Sequence, residues 1–207
     1  MSAKRKQKEA VELSYKLDLG CGIPERVKPG FDGVDSRPFG QKYVVDLVKL
    51  LPGVDGWRVL GAPTSDGYDL FEKWPWPDNS VEEVNCSHFY EHLNQKQRAF
   101  FLNELWRVMK PEGKVTMITP HWASIRAYGD LAHEWPPVTE FHWYYLSKEW
   151  RKPNCPHDDF LKCDFACTWG YNLHPNVAVR DQSYQAFAME NYKEAIQDMH
   201  CSMVAKK

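Results

Sequence analysis

The sequence has no apolar run long enough to cross a membrane, and its N-terminus lacks the apolar segment of a secretory signal peptide. It also has little net charge: the formal charge is -2, which gives no general attraction to nucleic acid or to membrane surfaces. Internal repeats and low-complexity segments are absent as well. These absences predict a soluble, cytoplasmic protein with no membrane partner, for which nucleic acid is not the favoured partner.

The only basic cluster, AKRKQK, lies near the start and has no apolar periodicity. We expect residues 1–12 to form a disordered basic tail, with a weak nucleic-acid arm as the alternative. The chain has 207 residues, 43% of them hydrophobic, which is enough to bury one sizeable core. We therefore expect residues 13–207 to form a single domain.

The six cysteines are scattered through apolar runs, which favours reduced thiols over a disulfide framework. The segment CPHDDFLKCDFAC suggests zinc ligation by Cys155, His157, Cys163 and Cys167. Its spacing is not that of paired zinc knuckles, and free cysteine is among the most buried residue types. Core cysteines are the favoured interpretation, and we expect no bound metal.

Strand-like and helical patterns alternate along the first two thirds of the chain. Short runs rich in Val and Ile, or bounded by Gly, Pro and Asn, predict strands over residues 15–19, 31–35, 42–47, 81–87 and 114–120. Helical spacing in NQKQRAFFLNELWRVMK predicts a crossover helix that ends before PEG. The pattern indicates a doubly wound, Rossmann-like α/β sheet, mostly parallel.

The last third of the chain has a different pattern. Residues 157–175 predict a long strand, residues 181–197 an amphipathic helix and residues 199–207 a closing strand. We therefore expect the sheet to end in an antiparallel C-terminal pair.

The stretch YKLDLGCGIPERVKPGFDGVD places a glycine turn between two strands. Gly20 and Gly22 let a ligand approach the backbone without meeting a Cβ, and Asp35 can accept both hydroxyls of an adenosine ribose. A dinucleotide would require a third glycine and a full helix, whereas Pro24 and Pro29 leave room for about one helical turn. The turn predicts a ligand without phosphates.

Four segments, LDLGCG, GVD, WPWPDNSVEEVNCSHFYEHL and ELWRVMKPEGKVTMITP, occur in an order that resembles class I S-adenosylmethionine (SAM) dependent methyltransferases of the type 11 group. The part from HWASIRAYGDLAHEWPP through WYYLSKEWR is similar to a subset often encoded by phages and bacteria. The resemblance implies SAM as cofactor and a small-molecule or nucleotide methyl acceptor. Pro24 and Glu112 replace glycines of the usual motifs at peripheral positions.

The resemblance also implies which residues contact SAM. Asp18, Gly20 and Gly22 surround its methionine part, and Asp35 holds its ribose. Asp69 is our choice for the acid that reads the adenine amino group, with Asp46 as the alternative because an apparent insertion leaves the register open. The residues expected at the cofactor are Asp18, Gly20, Cys21, Gly22, Asp35, Ser36, Asp69, Leu70, Ser87 and His88.

Methyl transfer from a sulfonium depends mainly on alignment, and a general base matters only when the acceptor must lose a proton. The candidate catalytic residues are His88, His121, Asp130 and His133. His88 and His121 follow the fourth and fifth strands, and the other two lie on a loop that can cover the pocket. For Glu91 and His92 we expect a structural role, as a helix cap or as partners of Arg98.

Two other functions remain open. A SAM-binding protein used for regulation, or one that depletes SAM without methyl transfer, would keep the same pocket. An NAD-dependent oxidoreductase is disfavoured by the missing third glycine and the antiparallel ending. The Asp/Asn-Pro-Pro-aromatic motif of DNA amino-methyltransferases is absent after the fourth strand, so base N-methylation by that mechanism is disfavoured.

Overall fold

The computed structural model of the protein describes residues 13–52, 70–155 and 160–207. The predicted tail, residues 1–12, lies outside these ranges. The strands are β1 (Tyr15–Leu19), β2 (Asp32–Asp35), β3 (Tyr43–Val44), β4 (Val81–Ser87), β5 (Met109–Pro120), β6 (Phe165–Leu173) and β7 (Ile196–Ala205). They form one sheet in the order β3-β2-β1-β4-β5-β7-β6.

The sheet confirms the predicted architecture. The pairs from β3 to β5 are parallel, and β7 is antiparallel to both of its neighbours, β5 and β6. The predicted strands over residues 15–19 and 81–87 have the predicted bounds. The third strand is much shorter than predicted, because only Tyr43 and Val44 pair with β2.

The helices of the described residues are α1 (Gln95–Val108), α2 (Arg126–Gly129), α3 (Glu140–Tyr144), α4 (Lys148–Asn154), α5 (Pro175–Ala178) and α6 (Gln182–Asn191). Single 3-10 turns occupy Pro24–Arg26 and Tyr90–His92. The crossover helix α1 begins with a capping box, in which the Asn94 and Gln97 side chains each accept a hydrogen bond from the other residue's backbone N–H. None of the helices described is long and apolar enough to cross a membrane.

Several predicted boundaries near the C-terminus are wrong. Within the described residues, the predicted long strand over residues 157–175 is limited to Phe165–Leu173. The predicted helix over residues 181–197 ends at Asn191, and the closing strand begins at Ile196 rather than at residue 199. The strand starts earlier because β7 must reach Leu173 at the end of β6 and Pro120 at the end of β5. These main-chain ladders satisfy backbone groups that a helical continuation would leave without sheet partners.

The central strands carry the core. Leu17, Leu19, Val34 and Val84 are fully buried, as expected for parallel strands that are covered on both faces. Helix α1 contributes the fully buried Phe100, Phe101 and Leu105 to the same apolar cluster.

The strand order places a crevice at the carboxyl ends of β1 and β4. From β1 the chain moves outward to β2 and β3, and it then returns to the other side of β1 as β4. Ligands of open α/β sheets bind outside the strand ends where the order reverses in this way. The segments that follow Leu19 and Ser87 therefore border the expected site.

Candidate active site

The turn after β1 is shaped by two glycines with left-handed backbone conformations, Gly20 at φ +68° and Gly22 at φ +66°. A Cβ on Gly20 would lie 2.5 Å from the Phe89 ring, whereas a Cβ on Gly22 would meet nothing within 4 Å. Gly20 is thus required for packing against the segment that follows β4. Gly22 borders open space that a ligand can enter.

Asp35, at the end of β2, braces this turn. Its Oδ2 accepts a hydrogen bond from Gly22 N at 3.0 Å, and its Oδ1 accepts one from Arg37 N at 3.1 Å. Each carboxylate oxygen retains a second lone pair, so the side chain can still accept hydrogen bonds from two hydroxyls. The structure thus brings Asp35 together with the predicted cofactor residues Gly20, Cys21 and Gly22, and Ser36 follows on the surface.

Asp18 has a structural role that the sequence did not indicate. Its side chain is buried; Oδ2 accepts a hydrogen bond from Lys28 N at 2.7 Å, and Oδ1 accepts one from Asn85 Nδ2 at 2.8 Å. These bonds tie the glycine loop and β4 to β1. A contact between Asp18 and the methionine part of SAM stays a prediction.

The acid that reads the adenine also stays a prediction. Asp69 lies outside the described residues, and Leu70 packs against the apolar core. Asp46 is exposed just after β3, where Val45 N donates a hydrogen bond to Asp35 O at 2.9 Å. Asp46 therefore lies at the same edge of the sheet as the ribose candidate.

His88, directly after Ser87 at the end of β4, has a left-handed backbone at φ +54°, and its N–H donates to Ile118 O at 2.9 Å. Its Nδ1 lies 3.3 Å from Oε1 of the buried Glu91. This hydrogen bond is the largest cause of a raised pKa at His88, followed by smaller contributions that include the charge of Asp198. His88 thus holds a proton more readily than an ordinary histidine.

His88 borders an open cavity of about 830 Å³ at the carboxyl edge of the sheet. Its polar lining includes His88, Glu91, His92, Arg126, Asp130 and His133. The structure therefore brings together three of the four candidate catalytic residues. It also adds Glu91 and His92, for which the sequence suggested only structural roles.

Arg98, on α1, holds the two segments of the cavity wall together. Its buried guanidinium donates from Nη1 to Pro136 O at 2.6 Å, and from Nη2 to Glu134 O at 3.3 Å and Glu91 O at 3.4 Å. Glu134 N also donates to Glu91 O at 2.9 Å. The expected partnership between Arg98 and Glu91 therefore exists, but through the backbone carbonyl. Burial lowers the pKa of Arg98.

His121 lies apart from the other catalytic candidates. It is buried, and its Nε2 lies 3.0 Å from Glu140 Oε1 while its Nδ1 accepts a hydrogen bond from Ala123 N at 3.3 Å. Tyr171 Oη donates to the same Glu140 oxygen at 3.0 Å. Both ring nitrogens are engaged, and the ring lines a separate cavity of about 300 Å³. The geometry supports a structural role, and catalysis by His121 stays a prediction.

Asp198 is a site residue that the sequence analysis missed. Its buried carboxylate accepts a hydrogen bond from Arg126 Nη1 at 2.9 Å, and its Oδ1 has no hydrogen-bond partner within the described part of the chain. Asp198 reaches this edge only because it pairs with Pro120 across the antiparallel ladder. No local signal in the sequence indicated that pairing.

Burial of Cys163 fits the favoured interpretation of this residue as a core cysteine. All six cysteines are free, Cys163 is fully buried, and burial raises its pKa to about 12. A protonated thiol is a poor metal ligand. His157, the imidazole of the suggested zinc set, lies outside the described residues.

Comparison with known proteins agrees with the fold. Residues 68–117 match the model of a methyltransferase domain family. No curated protein matches the chain in sequence.

Solved structures share the architecture at low sequence identity. A SAM-dependent methyltransferase from Archaeoglobus fulgidus has a TM-score of 0.55 and 16% identity, and the match covers 93% of this chain and 86% of that one. A chain in the Haloferax volcanii complex of the Trm112 methyltransferase activator with its proposed methyltransferase has a TM-score of 0.50 and 14% identity, with coverage of 95% and 83%. The chain therefore has the fold of SAM-dependent methyltransferases, and its sequence matches a methyltransferase domain over residues 68–117.

We expect Arg98→Met to lower the free energy of unfolding by about 2–4 kcal/mol, because three carbonyl oxygens lose a charged hydrogen-bond donor in a buried position. Urea unfolding followed by circular dichroism measures the change. Arg180→Met removes an arginine at an exposed position, and we expect it to stay within about 0.5 kcal/mol of the wild type. Equal stabilities of the two variants would contradict the role given to Arg98.

The Glu140 carboxylate should make stability depend on pH in the acid range. The hydrogen bond from His121 is the largest cause that lowers the pKa of Glu140 from 4.5 to about 2. Its stabilising contribution is complete above pH 4.5 and is lost as the pH falls toward 2, because the unfolded chain takes up the proton first.

Between pH 6 and pH 3 we therefore expect the wild type to lose about 1 kcal/mol more stability than Glu140→Gln, a loss reduced by partial solvent exposure. Urea titrations at the two pH values measure it. Glu149→Gln, at an exposed position on α4, should follow the wild type. Parallel losses in the wild type and Glu140→Gln would refute the assignment.

Proposed function

We propose that this protein is a SAM-dependent methyltransferase that acts on a small-molecule or nucleotide acceptor. One observation carries the proposal: the glycine turn, which Asp35 braces, packs against Phe89, and the preceding residue, His88, lines a polar cavity. The contact between Gly20 and the Phe89 side chain links the two halves of this site. A cofactor on the turn and an acceptor in the cavity would thus lie side by side.

The residues present fit SAM. Gly22 borders open space, and Asp35 keeps lone pairs for the hydroxyls of a ribose. After the turn there is only the 3-10 turn Pro24–Arg26, which offers little dipole to a diphosphate. SAM, which has a ribose and no phosphate, suits this arrangement. When bound, it supplies a methyl group on a positively charged sulfur.

The chain's own contribution is to position the acceptor and to hold a proton. His88 can take a proton from a hydroxyl or amine group, and the hydrogen bond to Glu91 stabilises the resulting imidazolium. Glu91 and Asp198 each have a buried carboxylate oxygen without a partner among the described residues. Glu91 lines the cavity, whereas Asp198 acts from behind it through its charge on His88 and its ion pair with Arg126.

Three further elements of the proposal rest on the sequence. The C-terminal third is similar to methyltransferases encoded by phages and bacteria, and we extend the proposal to membership of that subset. A cytoplasmic location and a single domain over residues 13–207 belong to it as well.

Calorimetry with SAM tests the cofactor half of the site. Asp35→Ala should weaken SAM binding by about 2–4 kcal/mol, because two charge-assisted hydrogen bonds to the ribose are lost. Asp32→Ala, on the same strand, is the matched control and should bind SAM like the wild type. The same titration should show a larger loss for Asp69→Ala than for Asp46→Ala. An unchanged dissociation constant for Asp35→Ala would contradict the assignment of Asp35 to the ribose.

A screen of hydroxyl- and amine-containing small molecules and nucleotides, with S-adenosylhomocysteine release as the readout, tests methyl transfer. Once an acceptor is found, His88→Ala and His133→Ala should keep SAM affinity within a few-fold and lose most turnover. His174→Ala should turn over normally. SAM binding without release for any acceptor would favour the alternative of a SAM-binding regulatory protein.

A further inference from the structure

Three side chains in the wall of the cavity have the chemistry of a metal site. Glu91, His92 and His133 each place a ligand atom within 4.8 Å of the others. They come from two segments, the 3-10 turn Tyr90–His92 and the loop that precedes α3. We propose that these three residues bind one divalent transition-metal ion at the side of the cavity.

Each of the two imidazoles has a backbone carbonyl beside its Nδ1. His92 Nδ1 lies 3.3 Å from Ala132 O, and His133 Nδ1 lies 3.4 Å from Ala127 O. A proton on each Nδ1 can be donated to its carbonyl, which leaves the Nε2 lone pair of each ring available to a ligand. Backbone carbonyls are common partners of the second nitrogen in histidine ligands.

Glu91 adds an independent argument. Its side chain is about 5% exposed, Oε1 faces His88, and Oε2 has no hydrogen-bond partner among the residues described. A buried carboxylate oxygen without a partner is costly, and a bound cation would remove that cost. Asp130 Oδ2 lies 3.9 Å from His133 Nε2, close enough to offer a fourth ligand after a small rotation.

The three ligand atoms must move closer together to hold an ion. In a tetrahedral site, ligand atoms about 2.0–2.2 Å from one ion lie about 3.3–3.6 Å apart. The observed limit of 4.8 Å therefore calls for the ligand atoms to approach one another by up to about 1.5 Å. The hydrogen bond from Glu134 N to Glu91 O already holds the two segments together, so side-chain rotation is sufficient.

The donor set indicates which ions would bind. Two imidazoles and one carboxylate suit ions such as Zn²⁺ and Mn²⁺, whereas Mg²⁺ prefers oxygen ligands and keeps its waters. Three protein ligands are typical of catalytic sites, because they leave a coordination position open. That position would take an oxygen atom of the acceptor, a role that rests on the proposed function. The expectation of no metal came from the cysteines and did not consider this set.

The test is a titration of untagged, chelator-treated protein with Zn²⁺, Mn²⁺ and Mg²⁺, without SAM or acceptor. Mn²⁺ is included because thiolates favour softer ions, so cysteines contribute little to its binding. We expect one Zn²⁺ or Mn²⁺ per chain, and at least tenfold weaker binding of both ions by His92→Ala, His133→Ala and Glu91→Gln. His174→Ala, a histidine outside the cavity lining, is the matched control and should bind like the wild type.

Two readouts separate metal ligation from misfolding. Circular dichroism shows whether each variant is folded, and in the wild type Mn²⁺ should broaden the NMR signals of the His92 and His133 rings but not those of His174. SAM calorimetry on the same samples reports separately on the proposed function. Failure of one measurement therefore does not imply failure of the other.

Several results would overturn the proposal. One is no saturable binding of Zn²⁺ or Mn²⁺ to the wild type. Another is zinc that persists in the His92→Ala, His133→Ala double variant and is lost in Cys163→Ser, which would assign the metal to the cysteines. Tighter binding of Mg²⁺ than of Mn²⁺ would contradict the class of ion.

Discussion

The buried guanidinium of Arg98 is the interaction on which the geometry of the cavity depends. It reaches the carbonyl oxygens of Glu91, Glu134 and Pro136, and thereby joins the turn after β4 to the loop that precedes α3. Arg98 belongs to α1, which packs on the sheet through Phe100 and Phe101. The position of the cavity wall is therefore fixed relative to the hydrophobic core. Such support helps to keep catalytic groups in the alignment that a transfer reaction requires.

A second constraint couples the two halves of the site. The Phe89 side chain occupies the space that a Cβ on Gly20 would need, so the glycine turn and the segment after β4 are packed against each other. Asp18 stabilises this arrangement, because its carboxylate accepts one hydrogen bond from the glycine loop and another from β4. A ligand on the turn is thus placed beside the cavity by packing. The polar lining of the cavity combines three histidines with Glu91, Arg126 and Asp130.

The sequence predicted the parts of this structure that depend on local patterns. Short strand-like runs with turn residues at their ends identified β1 and β4, and helical spacing identified α1 nearly to the residue, because burial of one helix face imposes its period directly. The sequence also predicted the glycine turn, because Gly20 and Gly22 occupy left-handed conformations that other residues seldom adopt. The antiparallel ending also followed from the change of pattern in the last third of the chain.

What the sequence alone determined was therefore the order of elements and the identity of the turn, both of which arise from neighbouring residues. Tertiary structure decided which distant side chains meet. It separated His121 from His88, brought Asp198 to the site by pairing β7 with β5, and placed His133 beside His92. Such contacts follow from strand order and loop closure, and residues far apart in the chain carry no shared local pattern from which they can be inferred.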